Sequence, residues 1–356
     1  MKAVFKLLFP VLFVGVLLSG CSLWMDGEYS SVTPNRSWGT NISEDVVLVS
    51  SYQQIRDTLI EMVEDGVQEG VFYCNGLTDV QIEYFMDASI DYILGKHPMG
   101  TYAVKAIDYD VGSNMGKLAI AVNINYSHNR SEILRVKRAK DMNDAQALIC
   151  VSLENCESGL VVYVKNYQAR DLTQFVEDYV SKNPQVCMET PQVSVTFYPE
   201  LGQERIIDIV FTYQNSRDTL RSMQQSVNDI FKSAHFYINP SADSSEKYSQ
   251  LYSFLMERYE YKMETSITPA YSLLRHGVGD SKAFATVYAA MCRQAGLDCR
   301  VVSGTKAGEA WHWNYLKNDT GSYYLDLLEC NSLGGFTVKT EEEMLGYVWD
   351  YSAFEE

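Results

Sequence analysis

The sequence predicts an α+β chain: two small α+β modules that repeat one another, then a third α+β domain towards the C-terminus. Three observations carry this expectation. Amphipathic helical stretches alternate with short β-branched runs from about residue 46 onward. The order helix–strand–helix–strand–strand occurs twice, offset by about 88 residues. A polar stretch, Asn239–Glu246 (N-P-S-A-D-S-S-E), then reads as a linker.

The first 45 residues read differently. Lys2 and Lys6 precede an apolar run, Leu7–Leu18, too short for an ordinary spanning helix. Leu18-Ser19-Gly20-Cys21 follows and resembles the lipobox of bacterial lipoprotein signals. That resemblance implies removal of residues 1–20, acylation of Cys21, and a mature chain held by lipid on the extracytoplasmic face of the cell membrane. Residues 21–45 are polar, with Gly27, Pro34 and Gly39, and read as a flexible tether.

The first module spans residues 46–138. Gln53–Glu64 predicts a helix, Glu69–Cys74 a strand, and Thr78–Gly95 a helix capped by Thr78, with Ile82, Phe85, Ile90 and Ile93 as its apolar set. Tyr102–Asp110 and Lys117–Tyr126 predict a strand pair. The second module spans 139–238. It starts from one helix within Glu132–Leu153 and continues with a strand at Leu160–Lys165 and a helix at Asp171–Ser181. Paired strands follow at Val193–Tyr198 and Arg205–Tyr213. Both units close alike, with Tyr126-Ser-His-Asn-Arg130 in one and Tyr213-Gln-Asn-Ser-Arg217 in the other. Nothing in the modules groups His, Cys or carboxylates at metal-ligand spacing, so they read as a spacer or an interaction surface.

Arg217–Ala234 predicts a helix, and residues 245–350 form the third domain. A helix over Lys247–Met263 leads through Thr265–Leu274 to the most organised stretch, His276–Gly304. It reads as a glycine turn (Gly277–Asp280), a buried helix from about Ser281 to Gln294, and a left-handed cap at Gly296. A short strand follows at Arg300–Ser303. Ser281 would sit in the positive field of that helix's N-terminus, where a nucleophile is favoured.

This stretch resembles the core motif of the transglutaminase-like superfamily, relatives of the papain-type thiol enzymes. Gly279-Asp280-Ser281 stands for the family's G-x-C. Glu309–Asn314 (E-A-W-H-W-N) stands for its histidine strand, and Tyr323–Asp326 (Y-Y-L-D) for its aspartate strand. The match covers roughly a quarter of the chain, residues 245 to 335. In the family a cysteine attacks a carbonyl, a histidine moves the proton, and an aspartate orients the ring. Here Ser281 stands at the nucleophile's position and Trp311 at the histidine's, while Asp326 keeps its type.

Two functions follow. In the first, the domain has lost catalysis and its cleft binds a peptide, a cell-wall component or a protein partner. Trp311, Trp313 and Asp280 would line that cleft, the two indoles as an aromatic platform. In the second, a serine hydrolase or acyl transferase uses Ser281, His312 and Asp326. An indole N–H only donates, so Trp311 cannot serve as the base. His312 would have to be turned towards Ser281, by a bulge at Gly308–Ala310 if Trp311 itself faces the serine. A third arrangement makes this domain scaffold and gives the interaction to the modules.

The formal net charge of −17 argues against a nucleic-acid partner. No cofactor is implied. With Cys21 lipidated, seven cysteines remain: Cys74, Cys150, Cys156, Cys187, Cys292, Cys299 and Cys330. The number is odd and C-x-x-C is absent. Cys150 with Cys156, or Cys292 with Cys299, could close a small loop; buried thiols are the plainer account.

Overall fold

A computed structural model describes residues 47–114, 116–263 and 266–354. Cys21, the signal segment and the tether lie outside the described residues.

The first part runs β1 (Val47–Val49), α1 (Tyr52–Asp65), β2 (Glu69–Cys74), α2 (Asp79–Gly95), α3 (Pro98–Ala103), β3 (Val104–Asn114), β4 (Lys117–Tyr126) and α4 (Arg130–Arg135). Its sheet has the order β1-β2-β4-β3. Thr78 caps α2 through a reciprocal pair with Gln81. Ile82, Met86 and Ile93 point into the core, with Phe85 and Ile90 at its margin. The expected strand at Tyr102 begins later, at Val104. Pro98 starts a helical turn instead, its missing N–H being no loss at that position. His97 Nδ1 accepts from Gly100 N at 3.3 Å. A β-carbon on Gly100 would stand 2.1 Å from the Ile93 carbonyl, so the turn packs there only with glycine.

The second part runs β5 (Lys137–Asp141), α5 (Met142–Glu154), β6 (Gly159–Asn166), α6 (Leu172–Lys182), β7 (Gln192–Tyr198) and β8 (Arg205–Thr212), with sheet order β5-β6-β8-β7. The single helix expected within Glu132–Leu153 is therefore two helices around a strand. β5 hides in the sequence because only Ala139 of Lys-Arg-Ala-Lys-Asp is buried, and the strand lies parallel to β6 at the sheet's edge. In both sheets the strands follow the order first, second, fourth, third. The similar closing sequences also do similar work. Arg130 Nε donates to the Asp65 carbonyl at the end of α1 (2.9 Å), and Arg217 Nε donates to the Asn155 carbonyl just past α5 (3.0 Å).

α7 (Arg217–Tyr237) is the connector. Leu220, Val227, Phe231 and Ala234 form its buried stripe. Gln224 Nε2 donates to the carbonyls of Glu154 (3.0 Å) and Val186 (2.8 Å). From Leu48 onward the described residues form one compact unit.

The last part runs α8 (Ser244–Met256), β9 (Glu260–Tyr261), α9 (Pro269–His276), β10 (Val278–Gly279), α10 (Ser281–Gln294), β11 (Asp298–Lys306), β12 (Glu309–Asn318), β13 (Gly321–Leu325), α11 (Leu327–Leu333) and β14 (Tyr347–Trp349). α8 ends earlier than expected, at Met256, because β9 leaves it to pair in parallel with β10. α10 is buried on almost every side from Ala283 to Cys292, and Gly296 takes the left-handed conformation after it. Tyr288 OH donates to the Tyr248 carbonyl (2.8 Å). Tyr248 OH in turn reaches the carbonyls of Asp298 (2.7 Å) and Lys317 (3.1 Å), which ties α10 and α8 to the sheet. That sheet has the order β13-β12-β11-β14. α10 covers one face. On the other, Trp313, Tyr315, Tyr324, Tyr347 and Trp349 form a separate aromatic core with Val302 and Met344.

β14 reaches β11 because residue 304 has no side chain. A β-carbon there would lie 2.2 Å from the Val348 carbonyl and 2.7 Å from the Trp313 ring. Gly304→Val should therefore destabilise the protein by about 1–3 kcal/mol or more and loosen β14. Urea unfolding would read the loss, and faster proteolysis near residue 347 would locate it.

Candidate functional site

Ser281 begins α10 and is 6 % exposed. Asp280, directly before it, is half-buried; its Oδ1 accepts from Ala283 N at 2.8 Å and so caps the helix. Gly277, left-handed at the end of α9, and the β9–β10 pair bring the chain round to this point. His276 is exposed and packs edge-on against Tyr271. Among the described residues, no side chain is hydrogen-bonded to the Ser281 hydroxyl.

β11 and β12 form a hairpin turned at Ala307-Gly308, both with positive φ, as a two-residue turn of this hand requires. Pairing is unbroken from Lys306 opposite Glu309 to Asp298 opposite Lys317. The bulge envisaged at Gly308–Ala310 is thus absent, and the alternation along β12 is regular. Asn314 faces α10, where its Nδ2 donates to the Ala285 carbonyl at 2.9 Å. His312 shares that parity and lies within the field of Lys282 and Asp280, the two neighbours of Ser281. Burial lowers the His312 pKa, Lys282 lowers it further, and Asp280 only partly opposes them. His312 is therefore neutral at neutral pH.

Trp311 and Trp313 point to the opposite face. Trp313 is 0 % exposed and packs edge-on against Tyr347 and Trp349, so it belongs to the core and offers no platform. Trp311 is half-buried, beside Tyr261 and under the Lys306 ammonium.

Asp326 lies on this second face, 3 % exposed. Its Oδ2 accepts from Tyr347 OH (2.6 Å), Lys306 Nζ (2.8 Å) and Trp311 Nε1 (2.9 Å). Its Oδ1 accepts from Leu328 N and Glu329 N, both at 3.1 Å, and caps α11. Glu329 extends the network to Tyr347 OH (2.7 Å) and Lys339 Nζ (2.7 Å). Burial alone would raise the Asp326 pKa, but Lys306, Tyr347 and the backbone donors outweigh it and hold the group below the usual carboxylate range. The Tyr347 phenol is pushed far up by burial and by the two carboxylates, and stays protonated.

The structure thus places Ser281, Asp280 and His312 on the α10 side, and Asp326, Trp311 and Trp313 on the other. Lys306, Glu329, Lys339 and Tyr347 were not singled out in the sequence. Lys306 had a signal, since it keeps the parity of Val302 and Gly304 along β11. Tyr347 had none, because β14 is only three residues long. Among the described residues no group of three or more His, Cys, Asp or Glu side chains is placed to hold a metal ion, and no helix is long and apolar enough to cross a membrane.

Residues 233–342 match the family model of the transglutaminase-like superfamily, and the C-terminal region carries a domain of that superfamily. Solved structures similar to this chain include one described as a TGase (10 % identity, TM-score 0.28, covering 55 % of this chain and 56 % of that one). Another is a proposed cysteine protease from Cytophaga hutchinsonii (12 %, TM-score 0.26, 46 % and 68 %). A third is a proposed protease from Parabacteroides distasonis (11 %, TM-score 0.24, 64 % and 38 %). The chain thus spans little more than half of the first and less of the third. A comparison with curated protein sequences returns no match.

The charge on Asp326 makes a pH prediction. Its folded pKa is depressed, so its contribution is complete above the unfolded value of about 3.9 and is lost as pH falls through the lower folded value. Asp326→Asn should cost about 2 kcal/mol at neutral pH by removing the nearer charge from Lys306 and leaving it Glu329 at 3.8 Å, and the difference from wild type should shrink on acidification below pH ~4. Urea unfolding at several pH values checks both sign and window.

Proposed function

We propose that this is a lipid-anchored extracytoplasmic protein whose transglutaminase-like domain binds a peptide, a cell-wall component or a protein partner without turning it over. One observation carries the reading. Asp326, which an active member of the family would use to orient a histidine, is held by Lys306, Tyr347 and the Trp311 indole. Trp311 stands at the position of the missing base and can only donate. The hydroxyl of Ser281 is a far weaker acid than a thiol and has no base hydrogen-bonded to it. Half-buried Trp311 lies beside Tyr261, whose strand pairs with Gly279 just before Ser281, so it offers an aromatic wall at the edge of the cleft although it leaves β12 on the other face.

A fluorophosphonate probe tests the loss of catalysis. The mature protein should label no more than Ser281→Ala, whereas labelling that vanishes in Ser281→Ala would overturn the reading. Retention on insoluble cell wall or an immobilised peptide library should fall by about tenfold or more in Trp311→Ala. The anchor has its own test: Cys21→Ser should move the protein from the membrane fraction to the soluble one.

A second reading has a specific observation in its favour. His312 lies on the α10 side, between the influences of Asp280 and Lys282, and is neutral. A Ser281–His312 pair without Asp326 would make a slow hydrolase or acyl transferase. The probe experiment decides between the two.

A further inference from the structure

Next to Ser281, whose chain neighbours Lys282 and Ala283 help to line it, a cavity of about 390 Å³ opens between α6 and the helices α9 and α10. Neither Ser281, His312 nor Asp326 lines it. The size falls at the small end of the range for ligand sites, about 300–1,000 Å³, and junctions between packed parts of a chain are a usual place for them.

Its walls follow from helical spacing. On α10, Lys282 and Thr286 are four apart, as are Ala283 and Val287, so these residues share one stripe. On α6, Glu177, Val180 and Ser181 do the same. The floor is apolar and buried: Val180, Met188, Ala270 and Val287. The mouth carries exposed groups of opposite sign from opposite walls, Glu177 from α6 and Lys282 from α10. A further observation is independent of these. Thr286 Oγ1 is buried at this wall and has no hydrogen-bond partner. Buried hydroxyls without partners are uncommon because their desolvation is uncompensated.

From this geometry we infer that the cavity binds a small zwitterion with an apolar side chain, an apolar amino acid or dipeptide. The side chain fills the floor, the carboxylate meets Lys282, the ammonium meets Glu177, and a backbone polar atom of the ligand satisfies Thr286. A fatty acid would use Lys282 but leave Glu177 facing its carboxylate. A cationic amine would leave Lys282 opposed in the same way. The site goes beyond the binding reading of the Ser281 cleft and does not depend on it.

Titration calorimetry with leucyl-leucine tests the inference. Saturable binding is expected, weakened about tenfold by N-acetylation and likewise by C-terminal amidation. Glu177→Lys, at an exposed position that folding tolerates, should abolish the penalty of N-acetylation. Thr286→Val should weaken binding of the free dipeptide. Absence of saturable binding, or equal binding of free and capped forms, would overturn the proposal. Either failure would leave the reading of the Ser281 cleft standing, since that reading rests on the probe experiment.

Discussion

The C-terminal domain depends on one buried carboxylate. Asp326 sits where β13 ends and α11 begins, and its donors come from β11, β12, β14 and the first turn of α11. An isolated ionised carboxylate at that depth would be untenable. Each donor removes part of that cost, and together they hold the edge strand β14 and the helix α11 to the hairpin. The same contacts decide what the site can do, because a carboxylate saturated by Lys306, Trp311 and Tyr347 has no lone pair free to orient an imidazole on the far face of β12.

The rest of the domain follows from strand parity. Regular pairing of β11 with β12 sends Asn314 and His312 towards α10, and Trp313 and Trp311 towards the aromatic core. Trp311 therefore has a structural part in this network. It supplies an N–H that satisfies Asp326 and a ring on which Lys306 rests. His312 faces α10 in the register that the Ala307-Gly308 turn sets, beside Asp280 and Lys282, while Asp326 is bound on the other face.

Much of this was legible in the sequence where a local rule decides the structure. Thr78 is a cap, Gly296 is a left-handed terminator, and helices α1, α2, α6 and α10 follow their apolar periodicity. Elsewhere tertiary context decided. β5 has almost no apolar face and exists because β6 offers it a parallel edge. The turn at Pro98–Ala103 needed the close approach of Gly100 to Ile93. The Asp326 network was hidden because Lys306, Glu329, Lys339 and Tyr347 are ordinary surface types in sequence and meet only once the sheet is assembled. Trp313 read as half of an aromatic platform, and only the assembled strands of the last sheet show it enclosed.

The central claim is that Asp326 and His312 are electrostatically separate, each committed to its own face of β12. NMR titration of the His312 ring in wild type and in Asp326→Asn tests it directly. The account predicts a His312 pKa below the ordinary histidine value of about 6.5 in both proteins, with no material difference between them. A fall of about one unit or more in Asp326→Asn would show that the carboxylate supports the imidazole, and would contradict the account.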